Sequence, residues 1–452
     1  MALLSQTGFE LCLPPYLLRW PECCSFPFGC GVHSILSYID SDSFFVLEGI
    51  LMGAPNPEVL RWARESAGLS YADAARKLQM SAKSGVGTLK AYETGAKQPS
   101  RSRLLAMSKQ YHRSYLTFFL SHPPAKVGRG EDFRTLPDSE PRELSGELDA
   151  LVRDIFIRQE LVKEALIQTE EDEVIAFVGA GAHMPAIGEA SRAVQEWLGL
   201  NVEGFRAQRT PHEAFNMLRW LVEKRGVYVL LMGDLGSYRS QISTQAFRAF
   251  ALSDPIAPFV VVNNYDAKTA WSFTLLHELI HLWLGRTGVS AQVSDHVVEK
   301  YCNDVASQIL VTDSEISELS QLIESNERDV LSHVTRFTAS NNVSASLVVY
   351  RLYRAGYIDE AAWKSLQDEL RRLWLESRKR EKDKRKEKDG SSGNYYASQR
   401  HKVGYGLLKV VKRSVGEGVL TETKAGRVLG VSSGSVTEML ARISHEGIKE
   451  SG

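Results

Sequence analysis

Apolar positions along this 452-residue chain change rhythm several times, and each change marks a different kind of element. From Pro57 onward, short stretches with apolar residues three and four apart are separated by turn signals such as Gly68-Leu69-Ser70, a stop followed by an N-cap residue. That spacing predicts a small helical domain. Pro123, Pro124 and the glycines up to Gly130 then read as a linker, and Leu144 to Ile167 carries a long helical repeat. Further on, Val227-Tyr228-Val229-Leu230-Leu231 and Phe259-Val260-Val261-Val262 are apolar runs of strand length. The segment Phe273 to Leu284 is helical by composition, with Gly285 as a natural terminator. The pattern predicts an α+β protein with an N-terminal all-α domain, a central domain with a small sheet and an apolar helix, and a helical C-terminal region.

Two stretches fall outside these rhythms. Residues 1–51 are rich in Pro, Cys and aromatics without periodicity and form an unassigned extension, either a capping arm or a stretch preceding a start at Met52. Glu376 to Asp389 mixes eight basic with five acidic residues and no apolar ones, which reads as a solvated helix extension or linker. The expected boundaries are therefore 1–51, 55–122, 131–353, 354–400 for the charged helix and linker, and 401–452 for a small helical C-terminal domain.

Composition adds limits. A length of 452 residues exceeds what one core usually organises, and 43% hydrophobic with 24% charged residues is ordinary for a globular protein. The net charge of -1 means that any DNA binding must come from a local basic face. Four of the five cysteines lie in the first 30 residues at no zinc-ribbon spacing, which suits a reducing compartment. With no signal-peptide pattern and no run of about 18 apolar residues, the expectation is a cytoplasmic protein with no membrane partner.

The chemistry concentrates in His277-Glu278-Leu279-Ile280-His281. Residues four apart share a helix face, so both imidazoles can reach one tetrahedral ion. Glu278 would point beside the metal, placed to take a proton from a zinc-activated water and pass it to a leaving amine. A zinc peptidase needs a third protein ligand and an open fourth position. Downstream, Glu299 is an acid on the otherwise apolar stripe of Cys302, Ala306 and Leu310. Burial there calls for a cation or hydrogen bonds. His296 lies about a quarter-turn away, Cys302 is either a ligand or a small core residue, Asp304 projects roughly opposite and Asp295 suits an N-cap.

These residues carry a resemblance. Phe273 to His281 followed by Glu299-Lys300-Tyr301-Cys302-Asn303-Asp304-Val305-Ala306 resembles the ImmA/IrrE metallopeptidase family, as do Phe247-Arg248-Ala249-Phe250-Ala251, Pro258 to Asn263 and Asp132-Phe133-Arg134. The resemblance implies a zincin-like, gluzincin-type domain with zinc on His277, His281 and Glu299 and with Glu278 as the catalytic base. Family members act on partner DNA-binding repressors or are regulators without demonstrated proteolysis. Two positions depart from the pattern: Ile280 stands where a Gly is frequent, and Thr312-Asp313 where Met-Pro often closes the second helix.

Leu60 to Tyr111 resembles a Cro/repressor-type (Xre) helix-turn-helix, through Arg64-Glu65-Ser66-Ala67-Gly68-Leu69-Ser70, Ala74-Ala75-Arg76-Lys77-Leu78 and Tyr92-Glu93-Thr94-Gly95. Lys83, Ser84, Thr88 and Lys90 are the expected contacts of its groove-facing helix, with Arg76, Lys97, Arg101 and Arg103 offered to phosphates. The spacer from Gln79 to Tyr92 is longer than usual and holds Gly85 and Gly87, both poor inside a helix. Near the C-terminus, Thr421 to Leu440 shows a similar rhythm with Gly426, Gly430 and Val436; capping helices or a dimer contact give the same pattern.

Together these readings predict a DNA-binding regulator on a double-stranded operator, with a zinc endopeptidase domain acting on a protein partner such as a repressor or toxin, and a homodimer as one assembly. The alternative is a non-proteolytic antitoxin or autorepressor in which zinc is structural or sensory.

Overall fold

The computed structural model describes residues 54–81, 84–124, 142–236, 240–286, 296–322, 327–387 and 395–441. Every described element belongs to the compact unit Pro55–Gly452. The extension 1–51, Lys83, the Asp132-Phe133-Arg134 segment, most of the expected linker and Asp295 lie outside the described residues.

Four short helices open this unit: α1 (Pro57–Ser66), α2 (Tyr71–Lys77), α3 (Gly85–Glu93) and α4 (Arg101–Tyr111). They close around Leu60, Ala74, Leu89, Met107 and Tyr111. Side chains cap three of the starts: Asn56 accepts from Glu58 N, Ser70 from Asp73 N and Ser100 from Arg103 N. Each cap satisfies an amide that the helix cannot, for about 1 kcal/mol. Gly85, expected as a helix breaker, is instead the first residue of α3, and a Cβ there would come within 2.9 Å of Met80 Cβ and 3.1 Å of Ala75 Cβ. It lets α2 and α3 cross closely.

A buried lock ties α1 to the end of α3. The Arg64 guanidinium donates to both Glu93 carboxylate oxygens, at 2.7 and 2.9 Å, and to the Leu69 carbonyl at 2.9 Å. The Tyr71 hydroxyl donates to the same carboxylate at 2.9 Å.

The long helix α5 (Arg142–Gln168) leads to the sheet. Gly146 sits against the backbone of Ala67, Glu147 pairs with Lys77 at 3.3 Å, and Gln159 donates to the carbonyls of Leu252 and Ala257 at 3.0 and 2.8 Å. Helices α6 (Ile187–Leu198), α7 (Val202–Arg206) and α8 (Pro211–Lys224) precede three strands, β1 (Tyr228–Leu231), β2 (Ala249–Leu252) and β3 (Phe259–Val262). Their order is β1-β3-β2: β1 runs parallel to β3 with Tyr228 opposite Phe259, and β2 runs antiparallel with Ala249 opposite Val262.

Both faces of this sheet are covered, which is why its strands read as continuous apolar runs rather than alternations. Val229, Leu231, Ala249, Ala251, Val260 and Val262 face one core. That core is shared with α9 (Lys268–Trp283) and α10 (His296–Leu310). Helices α11 (Asp313–Gln321), α12 (Glu327–Asn341), α13 (Ala345–Arg354) and α14 (Glu360–Glu387) continue on that side.

Tyr228, Leu230, Phe250, Leu252, Phe259 and Val261 face the other core, completed by α5 and the C-terminal helices α15 (Tyr395–Val403), α16 (Tyr405–Gly416), α17 (Glu422–Leu429) and α18 (Val436–Ala441). The junction of α15 and α16 is fastened to α8. There the buried Arg219 donates to the His401 and Val229 carbonyls while Glu223 accepts from Gly406 N at 2.9 Å. Gly404, at φ +88, lies where a Cβ would collide with Glu223, so glycine is required on both counts. No helix among the described residues is long and apolar enough to cross a membrane.

Candidate functional site

Helix α9 is buried from Trp271 to its end at Trp283, apart from the partly exposed Phe273. Its end is set by Gly285 at φ +72, and its last carbonyls accept from Gly179 N, on Leu282 at 3.1 Å, and Gly181 N, on Trp283 at 2.8 Å. These bonds satisfy groups that a helix end leaves open. Ile280, the position where Gly is frequent in the family, is fully buried in the core on this helix.

One turn apart, His277 and His281 bring their Nε2 atoms to 3.1 Å from each other. From the facing helix α10, Glu299 places Oε2 at 3.3 Å from His277 Nε2 and Oε1 at 3.2 Å from His281 Nε2. Tetrahedral zinc with bonds of about 2.0 to 2.2 Å separates its ligand atoms by about 3.3 to 3.6 Å. The three donors thus stand close to the edges of such a site, and they are the group of His, Cys, Asp and Glu side chains that converges among the described residues. Of the competitors, His296 is exposed at the start of α10, and Cys302 is buried against His281 without joining that convergence.

Electrostatics tie the same three side chains together. Burial opposes charge on Glu299, yet the two imidazoles hold its carboxyl well below the usual carboxylate range. Burial also opposes charge on His281, but its contacts with Cys302 and Glu299 raise its pKa well above the ordinary value. Glu278 is 2% exposed, its Oε2 lacks a hydrogen-bond partner, and burial raises its pKa to about 8. A buried carboxylate oxygen without a hydrogen-bond partner beside converging ligands is suited to proton transfer.

Sequence reasoning missed the groups that hold α10 in place. Asn303 is a side-chain partner of His277. Asp304 does point away from the ligands, and there it is buried, accepting from Tyr350 at 2.7 Å and from Arg354 at 2.7 and 2.6 Å. This carboxylate locks α10 to α13 and so fixes the turn that carries Glu299. Thr312, at the second departure from the family pattern, forms a capping box with Glu315 that starts α11 directly.

In the N-terminal domain, Ser84, Lys90, Arg76, Lys97 and Arg101 are exposed. Thr88 is half-buried and its hydroxyl donates back to the Ser84 carbonyl at 2.9 Å, while Arg76 pairs with Asp73 at 2.6 Å. Arg103, expected at phosphates, donates instead to the Leu78 carbonyl at 2.8 Å.

This fold and this constellation define a chain that joins a helix-turn-helix domain to a domain of metallopeptidase type. Residues 58–114 match the family model of a helix-turn-helix domain, and residues 223–353 match that of the IrrE N-terminal-like domain. The protein is a fusion of the two. No curated protein and no solved structure matches the chain.

Proposed function

We propose that the protein is a DNA-binding transcriptional regulator whose IrrE-like domain is a zinc-dependent endopeptidase acting on a protein partner such as a repressor. The observation that carries this reading is the convergence of His277, His281 and Glu299 beside the buried Glu278, whose Oε2 lacks a hydrogen-bond partner. His277, His281 and Glu299 would hold the ion. Zinc supplies Lewis acidity and a nucleophilic water at neutral pH when bound. With the ion bound, Glu278 would accept, hold and return a proton at its Oε2. Asn303 and the Asp304 lock orient the ligands.

Metal analysis tests the ligand set. Purified wild type should carry one zinc per chain, and His281→Ala and Glu299→Ala should each lose stoichiometric metal. Full occupancy in both variants would remove these residues as ligands.

The N-terminal domain would bind a double-stranded operator through α3, with Ser84, Thr88 and Lys90 toward the groove and Arg76, Lys97 and Arg101 on the backbone. Each phosphate neutralised contributes about -0.9 to the slope of log affinity against log salt. Lys97→Ala should weaken binding to all sequences alike and lower that slope by about 1, measured by fluorescence anisotropy on upstream fragments. An unchanged slope would take Lys97 off the interface.

A further inference from the structure

Away from the metal site, two other histidines meet across the seam that joins the C-terminal helices to the rest of the chain. His212 lies near the start of α8 and His401 near the end of α15, 189 residues on, and their Nε2 atoms stand 3.0 Å apart. The rings are half-buried, with centroids 4.9 Å apart. Asn216, one turn along α8, lies 3.5 Å from His212 Nδ1 and 3.4 Å from His401 Nε2. Near the start of α9, the buried Trp271 brings its ring to 6.0 Å from that of His212. The pair therefore sits where α8, α9 and α15 come together.

Every group around the pair bears on its charge. Lys268 on α9 and Arg219 on α8 oppose a proton on either ring, and Glu213 on α8 favours one on His212. Glu223 is committed to Arg219 at 2.9 Å and to the Gly406 amide of α16 at 2.9 Å, and Lys402 on α15 is turned toward Asp234, just after β1, at 3.4 Å. Burial first, and then the two cations, hold His212 below its ordinary value and His401 down at about 4. Two neutral imidazoles share one proton across their contact, as donor and acceptor. Protonating both turns each Nε2 into a donor, so that N–H faces N–H between two cations. A histidine whose pKa is depressed by docking adds stability that is complete above its free value of 6.5 and is lost as the pH falls toward about 4.

We propose that His212 and His401 form an acid-sensitive clasp, closed at neutral pH, that holds the junction of α15 and α16 against α8 and lets it go when both rings are protonated. The polar contacts of that junction lie within the same seam, because the His401 carbonyl accepts from Arg219 and the Gly406 amide donates to Glu223. Opening the clasp loosens the C-terminal cover of the sheet and uses neither zinc nor hydrolysis.

Amide hydrogen exchange on the full chain, corrected for the intrinsic pH dependence of exchange, reads the opening of α15 and α16 against that of α13, which carries no histidine. From about pH 7.5 to about pH 5 the opening constant of α15 and α16 should rise about 30-fold through His401 alone, the ratio set by a pKa of 6.5 when open and about 4 when closed. His212 adds in the same direction, and α13 should not follow. In the double variant His212→Gln with His401→Gln neither side chain takes up a proton, and the rise should vanish. No rise in the wild type, or an equal rise in the folded double variant, overturns the proposal. If the double variant does not fold, the imidazole C–H resonances of the wild type decide. Titration midpoints below 6.5 for both histidines support the clasp, and a midpoint at or above 6.5 for either overturns it.

Discussion

Against any protein that the wild-type chain cleaves, Glu278→Gln should lower the rate by about 10²- to 10⁴-fold, the usual range for losing a general base. The same variant should keep one zinc per chain, because His277, His281 and Glu299 supply the converging atoms and Glu278 stands outside them. The amide keeps the shape of the carboxyl but accepts no proton. Stability should not fall, since Glu278 Oε2 makes no hydrogen bond that the change would break. Paired measurements of metal content and single-turnover cleavage separate the two roles. Cleavage at the wild-type rate with full zinc would take Glu278 out of the mechanism, and loss of zinc would make it a ligand.

The second large effect belongs to the N-terminal lock. The Glu93 side chain is fully buried and its partner Arg64 nearly so. Glu93→Ala should therefore destabilise the domain by about 3 to 5 kcal/mol, because it strands a guanidinium and the Tyr71 hydroxyl without their acceptor. Replacing both charges, with Arg64→Met and Glu93→Leu, should recover most of that loss, as a buried pair is close to neutral against well-packed apolar residues. Amide hydrogen exchange in α1 and α3 reads the effect locally, and DNA affinity should follow it. A loss under about 1 kcal/mol in the single variant would mean that the lock is open in solution.

Much of this was legible in the chain because the signals are local. The spacing of His277 and His281 fixes a shared helix face, and Glu299 stands out as an acid on an apolar stripe. β1 and β3 announce themselves because covered faces leave unbroken runs of Val and Leu. β2 is harder to see: Ala249 and Ala251 have little strand preference, and pairing with β3 holds it. Gly85 misled, because a glycine inside a helix-like stretch reads as a defect unless the neighbour it makes room for, Ala75, is known to face it. The partners of Asp304 lie 46 and 50 residues away, beyond any periodicity. The C-terminal helices show a familiar rhythm, but nothing local discloses that they share a core with Tyr228 and Phe259.

That shared core bears on how the protein can be divided. The stretch matched by the IrrE-like model stops at residue 353, while one whole side of the sheet is covered by residues 142–168 and 395–441. A fragment trimmed to the match would bare Tyr228, Leu230, Phe250, Phe259 and Val261 together, a flat apolar surface of the kind that recruits other strands. Domain expression guided by the match alone should therefore yield aggregates, and the shortest piece that keeps both cores of the sheet runs from α5 through α18.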